Sequence, residues 1–124
     1  MKYLLDTNSC IYLFVNEYSA LTARVAEQPE GSLAISAITY AEIALGTYHG
    51  KPPEPRRLRG FLEEIILVPF DRAASEAYAK LSFKRGSFDR LIAAHAISLG
   101  LPLVSRNISD FAAIEGLRVE DWTK

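Results

Sequence analysis

Short apolar runs alternate with longer stretches whose apolar residues recur at three- and four-residue spacing, and that alternation predicts the fold. Tyr3-Leu4-Leu5 reads as a short buried strand ended by Asp6, and Ser9 to Val15 reads as a helix. Ser19 is placed to cap a second helix running to about Gln28, and Leu33-Ala34-Ile35 forms the next strand. Ile38, Ala41 and Leu45 keep helical spacing up to Gly46. The loop Gly50-Lys51-Pro52-Pro53-Glu54-Pro55 enters a helix from about Pro55 to Ile66, followed by a strand at Leu67-Val68-Pro69. Asp71 is placed to cap a helix through Lys84, and Ser87 to cap another that Gly100 and Pro102 end. Leu103-Val104 and Leu117-Arg118-Val119 are the last two strands. Strands alternating with helices predict an α/β fold, a mostly parallel sheet with helices on both faces. Such sheets bind ligands beyond the carboxyl ends of their strands, where the strand order reverses.

Four acids fall near those ends. Asp6 follows the first strand, and Asp110 follows the Ser105 to Ser109 loop behind the fourth. Glu42 rides the helix after the second strand, at the i+4 position from Ile38, so the stripe Ile38, Ala41, Leu45 carries a carboxylate toward the core. Asp89 opens Phe88-Asp89-Arg90-Leu91-Ile92-Ala93-Ala94-His95-Ala96, and its own face continues through Ile92, Ala93 and Ala96. Each acid has an ordinary explanation. Asp6 suits a strand-end turn, Glu42 a rim residue paired with an arginine, and Asp89 and Asp110 first-turn helix acids, with Ser109 as a cap. Carboxylates at the edge of a core lose hydration and recover little without a cation or hydrogen-bond donors. Four together suggest a shared hard divalent cation, the usual equipment for phosphodiester chemistry.

Length and composition narrow the classes. At 124 residues the chain suits one domain, 1–124, and 49% hydrophobic content argues against disorder. Met1-Lys2 runs straight into the first strand, leaving no room for a signal peptide. No later apolar run is long enough to cross a bilayer, so a cytoplasmic location is expected. Cys10 is the only cysteine, which excludes an internal disulfide or a thiolate zinc site. The net charge of −1 argues against a polyanionic partner at first. Setting the four acids aside leaves a mildly basic remainder, with Arg56, Arg57 and Arg59 clustered and Lys84, Arg85 and Arg90 flanking Asp89.

With these segments placed, the chain resembles the PIN-domain ribonucleases, most closely the VapC-type toxins of toxin–antitoxin pairs. The resemblance rests on four segments in order and spans nearly the whole length. They are Leu4-Leu5-Asp6-Thr7-Asn8; Ser36-Ala37-Ile38-Thr39-Tyr40-Ala41-Glu42 with Gly46; Phe88 to Ala96; and Leu103-Val104-Ser105-Arg106-Asn107 with Asp110-Phe111. The ending Gly116-Leu117-Arg118-Val119-Glu120-Asp121-Trp122 is also similar. The resemblance implies a three-layer α/β/α sandwich and an endoribonuclease cleaving structured RNA of the tRNA or rRNA class with Mg²⁺ or Mn²⁺. Asp6, Glu42 and Asp89 match the family's main acids, as metal ligands and catalytic residues. Asp110 matches a fourth, variable position, while some members carry Asp where this chain has Asn107. Thr7, Asn8, Thr39, Ser105 and Asn107 are candidates for holding the carboxylates. Lys84-Arg85-Gly86-Ser87 is shorter than in many of these toxins, and that loop borders the substrate groove. The resemblance further implies a VapB-type antitoxin whose Arg or Lys pairs with the acids in place of the metal, a homodimer, and a heterotetramer or larger assembly with antitoxin. Tyr40, Tyr48 and Tyr78 are candidates for an interface.

Other classes fit less well. An aspartyl phosphotransferase needs a second acid two residues after Asp6, and Asn8 stands there. A thiol enzyme would pair Cys10 with His49 or His95, yet Cys10 sits among Ile11, Leu13 and Phe14 as a small hydrophobe. His95 shares a helical face with Phe88, Leu91 and Leu99, which suits a core or interface histidine, and His49 a solvated loop. A catalytically silent PIN-like RNA-binding or scaffold module would lack acids that are all present here.

Overall fold

A computed structural model describes residues 1–82 and 86–124. The elements run β1 (Tyr3–Leu5), α1 (Thr7–Phe14), α2 (Ser19–Glu27), β2 (Leu33–Ser36), α3 (Ala37–Tyr48), α4 (Pro55–Glu64), β3 (Ile66–Val68), α5 (Arg72–Ala79), α6 (Phe88–Leu99), β4 (Leu103–Val104), α7 (Ile108–Phe111) and β5 (Val119–Glu120). The strands form one sheet in the order β3-β2-β1-β4-β5, and all four pairings are parallel. The chain therefore works outward from β1 through β2 to β3 and then returns to the other side of β1. The reversal falls between β1 and β4.

Alternation along the strands feeds two cores. Leu5, Leu33, Ile35 and Val104 face one layer, with Cys10, Phe14, Leu21, Ile43, Leu58 and Trp122. Leu4, Ala34 and Leu103 face the other, with Ile92, Ala93, Ala96, Phe111 and Ile114. A sheet buried on both faces needs helices on both, which gives the three layers. The small residues of α6 are fully buried, so this helix packs closely on the sheet. Asp71 and Ser87 cap α5 and α6 by accepting from the Ala74 and Arg90 N–H groups, and Gly100 ends α6 in the left-handed conformation.

Several expectations are corrected. The first helix starts at Thr7, because Asp6 itself is its N-cap. Tyr18, not Ser19, precedes α2, and no side chain caps it. Helix α3 runs through Gly46 to Tyr48, since its backbone needs no break there. Helix α4 ends at Glu64 and β3 begins at Ile66, one residue early. Helix α5 stops at Ala79; Leu81 and Ser82 are not helical, and Lys84 and Arg85 lie outside the described residues. Ser109 lies inside α7, whose N-cap Asn107 makes no side-chain capping bond. Strand β5 is Val119–Glu120, shifted from Leu117-Arg118-Val119. Tyr40 packs against the first core, whereas Tyr48 is 91% exposed. Among the described residues no helix is long and apolar enough to cross a membrane.

Candidate active site

Asp6 stands where the fold predicts a ligand site, at the carboxyl end of β1 beside the reversal point. Its backbone N–H donates to the Val104 carbonyl (3.1 Å), which ties it to β4. Its Oδ1 accepts the Ser9 N–H (2.8 Å), and the Ser9 hydroxyl donates to the same Val104 carbonyl (3.1 Å). Asp6 is only 2% exposed. Burial raises its pKa above the ordinary value, and hydrogen bonds from Ser105 and Ser9 oppose that rise without cancelling it. Ser105 is buried at the end of β4, and its Oγ accepts the Asn107 N–H (3.0 Å), which shapes the loop carrying Asp110.

Glu42 reaches the same end from α3, though not for the reason its spacing suggested. The stripe Ile38, Ala41, Leu45 is not the core face: Ala41 is exposed and Leu45 is 62% exposed. Helix α3 buries Thr39 and Ile43, and the rim beside that face carries Glu42. Thr7 Oγ1 donates to Glu42 Oε1 (2.7 Å) and lies 3.2 Å from Thr39 Oγ1. The single Thr7 hydrogen is committed to Glu42, so Thr39 supplies the hydrogen between the two hydroxyls. Burial raises the Glu42 pKa, the Thr7 bond lowers it, and the charges of Asp89 and Asp6 raise it further.

Asp89 lies in the first turn of α6, half-buried. Burial raises its pKa, and the charges of Asp6 and Asp110 add to the rise. Asp110 is exposed on α7, and Asn107 is half-buried. All four acids thus act electrostatically on one cluster. Asn8 is exposed on the first turn of α1, whereas Thr7 and Ser105 hydrogen-bond Glu42 and Asp6 and Thr39 braces Thr7.

The donor chemistry of this cluster fits a hard cation. The charges acting on Glu42 and Asp89 are those of other carboxylates, so the centre carries negative charge in a desolvated setting. Among the described residues no three such groups close into a ready-made metal cage. Glu42 is held toward α1 by the Thr7 bond. Mg²⁺ needs few direct carboxylates because it keeps several of its waters.

The other candidate chemistries find no geometry. Cys10 is buried, and burial with the nearby Asp6 charge holds its thiol well above its ordinary pKa. His49 is exposed and bonds through Nδ1 to its own helix at the Leu45 carbonyl (2.9 Å). Arg57 donates to the Phe14 carbonyl (2.6 Å) and stacks over that ring, so it braces α4 on α1, while Arg56 and Arg59 stay exposed. Ser9 and Ser36 are not among the expected site residues, while His95, expected as a core or interface histidine, is fully buried. Ser36 carried a signal, a serine directly before a helical run, the ordinary N-cap position.

The PIN domain family model matches residues 3–117. The tRNA(fMet)-specific endonuclease VapC of Shigella flexneri is 33% identical over 132 residues, covering 99% of each chain. In the crystal structure of VapBC2 from Rickettsia felis bound to a promoter DNA fragment, the similar chain has a TM-score of 0.85. It is 30% identical, with 98% of this chain and 99% of that one covered. The DNA-bound VapBC from Salmonella typhimurium gives 0.82, 32% identity and 98% of both chains. A family model matching residues 3–117 and relatives 30% or more identical along nearly the whole length show that the chain belongs to the PIN-domain family, among the VapC ribonucleases.

Proposed function

We propose that this chain is a divalent-metal-dependent endoribonuclease toxin, held in check by a VapB-type antitoxin. The observation that carries the reading is the cluster of desolvated, mutually repelling carboxylates at the reversal point of the sheet. Asp6 and Asp89 would hold Mg²⁺ or Mn²⁺, with Asp110 completing the cradle. A bound divalent ion lowers the pKa of the attacking water and neutralises charge on the phosphoryl oxygens. Glu42, braced by Thr7, orients that water and has raised proton affinity with which to accept its hydrogen. Water attacks phosphorus, the P–O3′ bond breaks, and the products carry a 5′-phosphate and a 3′-hydroxyl. No ribose 2′-hydroxyl takes part.

The name of the Shigella flexneri relative supports a structured RNA, of the tRNA class, as substrate. The VapBC complexes support an antitoxin partner. Exposed Ile11, Val15 and Leu45 line one hollow with Glu42, an apolar surface beside the acids that a partner segment would cover. A homodimer and a cytoplasmic location go with this reading.

Incubation of purified chain with total tRNA and Mn²⁺ tests it. New 5′-phosphate ends, accepted directly by RNA ligase and lost with EDTA or Asp6→Ala, are expected. Cleavage that persists in EDTA, or products ending in 2′,3′-cyclic phosphate, would overturn it.

A further inference from the structure

The imidazole of His95 lies fully buried in the middle of α6, with Nδ1 2.8 Å from the Ser36 hydroxyl oxygen. Ser36 is also buried. It is at once the last residue of β2 and the N-cap of α3, and its hydroxyl oxygen accepts the Ile38 N–H (3.0 Å). That cap uses one lone pair. The hydroxyl keeps one hydrogen and a second lone pair, so it can engage Nδ1 in either imidazole tautomer.

The other ring nitrogen, Nε2, is buried without a hydrogen-bond partner. The Phe70 ring stands edge-on to the imidazole at 5.2 Å, and Asp71 is the charged group acting on it. Burial lowers the imidazole pKa, which favours the neutral ring, and the Asp71 charge opposes that shift. A leucine would fill this position and orphan no polar atom. What the imidazole adds is the bond to Ser36.

We propose that His95 is a positioning residue for the acidic site, locking the helix that carries Asp89 to the N-cap of the helix that carries Glu42. Ser36 sets the direction in which α3 leaves the sheet, and Glu42 lies six residues beyond it. Asp89 lies six residues before His95 on a helix rising about 1.5 Å per residue. The Ser36–His95 bond therefore sets the spacing of the two helices that carry Glu42 and Asp89; the Asp89 charge acts on Glu42, and the Asp6 charge acts on both. This role rests on the reading that those acids share a cation.

Mn²⁺ affinity, measured by paramagnetic resonance on the whole chain, and metal-free melting are followed in His95→Leu, His95→Asn, Ser36→Ala and the double variant His95→Leu/Ser36→Ala. His95→Leu and Ser36→Ala should each weaken Mn²⁺ binding by about tenfold. The double variant should be no weaker than Ser36→Ala alone, because that substitution already removes the bond to His95 together with the α3 cap. His95→Asn, whose side-chain amide reaches the position of Nδ1, should bind close to wild type. Wild-type affinity in every variant, with melting alone lowered, would make His95 a packing residue and overturn the proposal, as would additive losses. Should His95→Leu fail to fold, His95→Phe, which keeps a ring and leaves the Ser36 cap intact while removing the bond, decides in its place. A wild-type chain that binds no Mn²⁺ defeats the cation reading itself, a failure visible in the parent before any variant is compared.

Discussion

Asp6 and Asp110 mark opposite extremes of the same site. Asp6 closes a central strand, is almost wholly buried, and is held by Ser9 and Ser105 on a loop pinned to Val104. Asp110 sits in the open on a four-residue helix with no side-chain cap, and its charge reaches the cluster through Asp89. The sheet therefore builds the centre of the cluster, while its outer edge hangs from a short loop element. Interactions made at a desolvated, preorganised point are stronger than the same interactions in water. Losses should grade from Asp6 outward.

The largest effect belongs to Asp6→Asn, which should lower RNA cleavage on the order of 10³-fold in a gel assay. The metal-free variant should melt about 3–5 °C higher, because a buried charge is gone. With its pKa raised in the fold, wild-type Asp6 binds a proton more tightly folded than unfolded. That contribution to stability is present at low pH and lost as pH rises through the folded pKa. The melting advantage of Asp6→Asn should accordingly shrink as pH falls through the carboxylate range, and a constant advantage would contradict the burial account.

Next come Glu42→Gln and Asp89→Asn, each with about 10²-fold slower cleavage. Thr7→Val removes the brace of Glu42 and should slow cleavage about tenfold with little change in RNA binding. Asp110→Asn should be mildest, about threefold, as befits an exposed charge. A loss at Asp110 equal to that at Asp6 would break the comparison; a larger loss at Asn107→Ala than at Asp110→Asn would reassign the outer position.

The parallel sheet was legible because three short apolar runs and the ends of α5 and α6 carry local chemistry: Asp71, Ser87 and Gly100 each act within a few residues of chain. The strand ends of Asp6 and Ser105 followed from the same runs. What local pattern misread was the face of α3. Its apolar residues outnumber its buried ones, since Leu45 lies exposed, and only the placement of Thr7 across from it shows why Glu42 turns inward. The Ser36–His95 bond spans 59 residues and the Thr7–Glu42 bond 35, so neither has a spacing that a chain reading can detect. Asn8, adjacent in sequence to Thr7, faces outward instead, because neighbours on a helix point to different sides.

One measurement bears most directly on the gathering of these acids around a single cation: thermal unfolding of wild type and Asp6→Asn, each with and without Mg²⁺. A ligand that binds only the folded chain raises its melting temperature by mass action. Wild type should rise with Mg²⁺ and Asp6→Asn should stay where it was; equal rises in both proteins would contradict the account.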